Sequence, residues 1–135
     1  MNKSITSTLV CALAISAFTS CHKTTFDEKV SQEVLDFNLN QAPQKMDRCT
    51  MLDSMNYDVE TKAICYYYTV SGECDNAEMI TADVKKSLRE SIVASVKGSI
   101  QLKPYKEHGL TFRYIYISQK TGKVMNEIAI SKSEY

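Results

Sequence analysis

Histidine, glycine and long apolar runs are scarce in this chain of 135 residues. Imidazoles occur only at His22 and His108, which removes the parts for a metal site built from several histidines and for a Ser-His-Asp or Cys-His arrangement. The 4 glycines form no phosphate-cradling loop, and no two of the 5 cysteines stand in a CxxC redox pair. Basic and acidic residues balance at 16 each, so there is no electrostatic case for nucleic acid. Asp53, Asp58 and Glu60 lack the spacing of a calcium loop. The sequence calls for no metal and no cofactor. One acid-base element remains, Glu107-His108-Gly109, and His108 with nearby carboxylates supports the alternative reading as a small hydrolase. A general-base histidine needs a partner in a cleft, so the first reading is a protein that is not an enzyme.

The first residues carry a different message. Asn2-Lys3 gives a positive start, and the apolar run Leu9 to Phe18 is too short for a hydrocarbon core, which takes about 20 residues. Phe18-Thr19-Ser20-Cys21 then resembles the lipobox of bacterial lipoproteins, with Phe18 where an aliphatic residue usually stands. That resemblance implies a signal peptide over residues 1–20, lipidation of Cys21 and a tether over residues 21–25. Two or three acyl chains anchor stably, since each buried methylene contributes about 0.8 kcal/mol. His22, in place of an aspartate after the cysteine, favours the outer membrane by the same resemblance. The alternative is an ordinary secretory signal cut after Ala17 or Ser20, and both routes export the chain. Loss of the leader removes Lys3 and leaves 15 basic against 16 acidic residues, a formal charge of −1.

Residues 26–135 are the length of a single domain. Thr25-Phe26-Asp27-Glu28 matches a capping box, and Val30, Val34 and Phe37 give the helical stripe that follows, ending at Asn40 to Pro43. Leu52–Asp58 and Ala63–Val70 read as a hairpin, the second arm alternating Ile64, Tyr66, Tyr68 with Cys65, Tyr67, Thr69. The pairing rule brings Cys49 and Cys74 together near its open end. A bridge there suits an oxidising compartment and is worth up to about 3 kcal/mol. Cys65 is left as a packed thiol. Val84, Leu88, Ile92 and Val96 mark a second helix capped by Thr81 and closed at Gly98. Pro104 to Gly109 reads as a loop; Leu110 to Ile117 and Val124, Ile128 and Ile130 form a second hairpin. The order α-β-β-α-β-β predicts an α+β two-layer sandwich, a four-stranded antiparallel sheet with both helices on one face.

Tyrosine is the excess, with Tyr66, Tyr67 and Tyr68 on one strand and Tyr114 and Tyr116 on another. Aromatics with a polar tip suit a binding surface, and the same residues also suit ordinary cross-strand packing. Tyr67 points opposite to Tyr66 and Tyr68, so Tyr67 and Arg113 are the candidate members of a contact surface on the wet face of the sheet. From Met46 to Ile130 the body resembles small bacterial envelope proteins that carry a Gly-Leu-Thr-Phe-Arg-Tyr strand, here Gly109 to Tyr114. That resemblance implies a fold and a compartment and no activity. The expectation is a membrane-anchored binding or accessory module of the cell envelope, facing the periplasm, with another envelope protein as partner; a protective inhibitor or immunity-type protein is a further alternative. Intact-mass measurement of protein extracted from native membranes checks the anchor. A diacylglyceryl adduct on Cys21 is expected, with Cys21→Ser moving the protein to the soluble fraction; an unmodified Cys21 contradicts it.

Overall fold

Thr25 and Glu28 close the capping box that starts α1 (Phe26–Asn40), the Glu28 N–H reaching Thr25 Oγ1 at 3.2 Å and the Thr25 N–H reaching Glu28 Oε2 at 2.7 Å. The structure is a computed structural model that describes residues 23–135. The leader, Cys21 and His22 lie outside the described residues, and no helix among the latter is long and apolar enough to cross a membrane. After α1 come β1 (Gln44–Lys45), β2 (Thr50–Asp58) and β3 (Ala63–Val70), then 3-10 turns at Gly72–Cys74 and Ala77–Met79. The chain continues through α2 (Ala82–Gly98), the short α3 (Lys103–Glu107), β4 (Thr111–Ser118) and β5 (Val124–Ile130), closing with a 3-10 turn at Lys132–Glu134.

The class is α+β with both long helices on one face, but three details differ from the sequence reading. The sheet has five strands in the order β1-β2-β3-β4-β5, because Gln44 and Lys45 add a two-residue edge against Leu52 and Met51. It is mixed: β2·β3 and β4·β5 are antiparallel, whereas β3 and β4 run parallel from Ala63↔Thr111 to Val70↔Ser118. Parallel neighbours need a long crossover, and the helix between the two hairpins supplies it. The segment read as a loop at Pro104 to Gly109 contains α3, whose second residue is Pro104, a position where a missing N–H costs nothing.

Strand parity is set by two bulges. The β2·β3 register shifts between Leu52 and Ser54, which lets Leu52 share a face with Met55 and Tyr57 despite the odd spacing. A second shift, between Tyr116 and Ile117, pairs Val124 with Ile117 and turns Val124 away from Ile128 and Ile130, so it is exposed and not part of their buried row. The core then forms where Val30 and Val34 of α1 and Ile92 and Val96 of α2 meet Tyr57, Ile64, Phe112, Ile128 and Ile130.

The exposed flank of β2 is closed by a side chain. Asn38 of α1 donates its Nδ2 to the Met55 carbonyl and accepts the Met55 N–H on its Oδ1, each at 2.8 Å, as a neighbouring strand would. Asn38→Ala leaves both backbone groups without that partner and is expected to cost about 1–3 kcal/mol in urea unfolding; a loss under about 0.5 kcal/mol contradicts the clamp.

Candidate functional site

The apolar stripe of α2 is buried unevenly along its length. Val96 is 0% exposed, Ile92 is 9%, Leu88 is half-buried and Val84 is 44% exposed. The helix is thus seated on the sheet at its C-terminal end and leaves the stripe of its first turns uncovered. Between that lifted half and the sheet lies a groove of about 670 Å³. Tyr68, Tyr114 and Tyr116 form its floor; Val84, Leu88 and Ile92 form the helix wall, and Met46, Ile80 and Met125 stand at the margins. Met46 is itself 52% exposed, so the apolar lining continues onto the surface.

The floor is a tile of stacked rings. Parallel pairing puts Tyr66 beside Tyr114 and Tyr68 beside Tyr116, each pair with ring centroids 5.0 Å apart. Tyr68 also lies 6.4 Å from Tyr114. Burial pushes the Tyr114 phenol up to about 12 and raises those of Tyr66, Tyr68 and Tyr116, so all stay neutral at physiological pH.

The far wall is stapled. Cys49 and Cys74 are joined by a disulfide across a Cα–Cα distance of 6.0 Å, and Cys74 lines the groove. Asp47 accepts the Cys49 N–H at 2.7 Å, which holds its carboxyl below the ordinary aspartate value. Asp75, 6% exposed, is held down chiefly by a hydrogen bond from Ser118, and it also accepts the Lys120 N–H at 2.9 Å. Glu73 lies close to both bridged sulfurs, but it pairs with Arg48 at 2.5 Å and the sulfurs are committed to each other, so the trio is not a metal site.

The residues singled out from sequence fall elsewhere. Tyr67 and Arg113 lie on the face turned away from both helices, around a small cluster of Ala63, Cys65 and Ile115. There the Arg113 guanidinium is engaged by Glu127, with Nε at 2.9 Å from Oε1, and its Nη1 stands 4.0 Å from the Cys65 sulfur. Burial raises the Cys65 thiol. His108 stacks on Phe26 with ring centroids 3.5 Å apart, and its Nδ1 lies 2.8 Å from the Pro104 carbonyl. It therefore closes α3 against the start of α1, and no described carboxylate is hydrogen-bonded to it. The groove itself was not singled out, although one signal for it was present: Tyr66, Tyr68, Tyr114 and Tyr116 on the alternating strands share one face, the face that the α2 stripe covers.

The chain belongs to the family described as Domain of unknown function (DUF8479), matched over residues 24–126. No curated protein matches it. Among solved structures it is similar to a protein of Pseudomonas aeruginosa described as secreted, at 16% identity and a TM-score of 0.64, over 82% of this chain and 90% of that one. It is also similar to a pilotin of the type 2 secretion system of Vibrio vulnificus, at 9% identity and TM-score 0.59, covering 80% and 89% of the two chains. A type II secretion pilotin of Vibrio cholerae matches at 10% identity and TM-score 0.57, over 81% and 91%. At these identities the likeness is one of fold.

The carboxylates give the site and its surroundings a pH limit. Asp47 and Asp75 at the groove wall, and Asp27, held by Lys62 and Tyr57, all sit below the ordinary aspartate value of 3.8. The stability they supply is present above that value and is lost as pH falls through their folded values. Thermal midpoints are expected to hold between about pH 7 and 5 and to fall below about pH 4. A fall beginning near pH 6 contradicts the assignment to these carboxylates.

Proposed function

We propose that this protein is an exported, lipid-anchored accessory module of the bacterial cell envelope, which works by holding a segment of another envelope protein in the groove between α2 and the tyrosine floor. The observation that carries this reading is the uncovered half of the α2 stripe. A helix that buries Val96 completely and leaves Val84 open retains apolar surface that a partner can cover. Exposed methionine at the margin suits such a contact, because the thioether chain adapts to the shape laid against it.

The direction of the groove supports the same reading. β3 runs from Ala63, beside the start of α1, to Val70 at the groove. Lys62, the residue before β3, holds Asp27 of α1 at 2.5 Å, which fixes the α1 start at that end. A tether of residues 21–25 spans at most about 17 Å, so a lipid on Cys21 keeps the α1 end near the membrane and turns the groove toward the periplasm. The outer membrane is the favoured anchor site, from His22. The fold shared with type II secretion pilotins adds a precedent for an accessory role in an envelope assembly.

The open face with Tyr67 and Arg113 is the weaker surface, since Arg113 is held by Glu127 and the small cluster beneath is already buried. The His108 hydrolase reading lacks support, because that ring is engaged in stacking and in capping α3.

A photo-crosslinking residue in place of Val84 is expected to give one discrete protein adduct in native cells. The same residue in place of the exposed Ala129, on the opposite face, is expected to give none. Adducts from position 129 alone contradict the assignment of the groove.

A further inference from the structure

The end of the domain where α1 starts also carries an unbalanced group of lysines. Lys103, Lys106 and Lys132 line one shallow hollow of about 400 Å³ together with Glu107 and Tyr135. α3 supplies the first two, and the Lys132 side chain lies across Gly109, just after His108. Lys97 adjoins them, because the Lys106 ammonium donates to its carbonyl at 2.8 Å. The Lys106 partners are neutral carbonyls, so its charge is uncompensated. Glu107 meets Lys103 only in an exposed pair at 3.8 Å, which offsets little. Nearby carboxylates are engaged elsewhere: Asp27 by Lys62, Glu33 by Tyr105 and Glu134 by Arg89. Four lysines thus stand against one glutamate, in a chain that without its leader has a formal charge of −1.

An apolar tip stands beside this group. Ile100, in the connection between α2 and α3, is 85% exposed, the highest value among the exposed large apolar side chains of the described residues. The Lys103 N–H donates to the Ile100 carbonyl at 3.1 Å, which holds the isoleucine within one turn of α3. Lys97 precedes it and Lys103 follows it. Such a side chain can enter a lipid interface while ammonium groups on long apolar stems stay among the headgroups.

The position of the anchor supplies that interface. His108, at the end of α3, stacks on Phe26 with ring centroids 3.5 Å apart. Cys21 precedes Phe26 by five residues, at most about 18 Å of chain. Acyl chains on Cys21 therefore keep α3 and its hollow close to the bilayer surface, where each lysine is drawn to anionic lipid.

We propose that Lys97, Lys103, Lys106 and Lys132, with Ile100 beside them, dock on the anionic phospholipid headgroups of the membrane that holds Cys21, and so fix the domain with its groove turned away from the bilayer. The proposal rests on lipidation of Cys21, and its test separates the two.

The chain has no tryptophan, so Ile100→Trp supplies a unique fluorescent reporter. Val124→Trp, exposed at the other end of the sheet, is its control. Each lipidated protein is extracted from native membranes and reconstituted into vesicles of phosphatidylcholine, alone or mixed with phosphatidylglycerol. With phosphatidylglycerol the Ile100→Trp emission is expected to shift to the blue and to be quenched by brominated acyl chains; with phosphatidylcholine alone it is not, and the Val124→Trp emission is unchanged in both. Adding Lys97→Gln, Lys103→Gln and Lys132→Gln, which leaves Lys106 to close α2, is expected to abolish the shift while circular dichroism and the unfolding midpoint stay those of the parent. Lys85→Gln, Lys86→Gln and Lys123→Gln, the same change of charge elsewhere on the chain, is expected to preserve it.

An Ile100→Trp emission that is alike in the two lipids, or that is unmoved by loss of the three lysines, overturns the docking and leaves the anchor in place. A shift produced by inorganic phosphate on phosphatidylcholine vesicles assigns the hollow to a free anion and overturns it as well. A protein that floats with neither vesicle lacks the anchor, and the proposal falls with it.

Discussion

The parallel pairing of β3 with β4 is the constraint on which the rest of the structure depends. It brings Ile64 beside Phe112 in the core and Tyr66 and Tyr68 beside Tyr114 and Tyr116 above it, so one face of two central strands grades from aliphatic to phenolic along its length. Because parallel strands cannot be joined by a tight turn, the connection must leave the sheet after Val70 and return at Thr111. The α2 helix makes that crossing, anchored where the sheet face is aliphatic and lifted where it is phenolic. Groove, tile and uncovered stripe are one consequence of one register.

The packed core and the uncovered groove are therefore placed at opposite ends of the domain. At the end where α1 starts, α1, α2, α3 and the β2–β3 turn lock together through the Phe26–His108 stack, the Asp27–Lys62 pair and the Lys106 ammonium, which donates to the Val96 and Lys97 carbonyls at 2.8 Å each and so closes α2. At the groove end the chain from Gly72 to Met79 consists of two 3-10 turns with no buried residue of their own, held by the disulfide and by the Asp75 contacts. A wall with so little core depends on its covalent staple.

Much of this was legible in the sequence, for identifiable physical reasons. The Thr25 and Thr81 caps, the α2 stripe and the β2·β3 pairing are local patterns, and local hydrogen-bond chemistry fixed each of them where the sequence indicated. The parallel β3·β4 contact was missed because two well-marked hairpins invite an antiparallel sheet, although a helix between strands is itself the signal of a crossover. Gln44 and Lys45 were missed because two exposed polar residues carry no strand pattern. Val124 was misassigned because a bulge reverses parity without leaving a mark in composition. The groove was hidden for a related reason: the spacing of Val84, Leu88, Ile92 and Val96 shows that a face is apolar, and says nothing about how far along the helix the sheet reaches. Residue types that read as core can thus be buried at one end of a helix and left uncovered at the other.

The central claim is that the first turns of α2 are an apolar surface awaiting a partner, and amide hydrogen exchange tests it most directly. In the purified protein, amides from Lys85 to Leu88 should exchange much faster than those from Ile92 to Val96, following the burial gradient of the stripe. In native envelope membranes the account predicts that Lys85 to Leu88 gain protection while the already buried end changes little. Equal protection of the two halves in the purified protein, or no gain in the membranes, would contradict it.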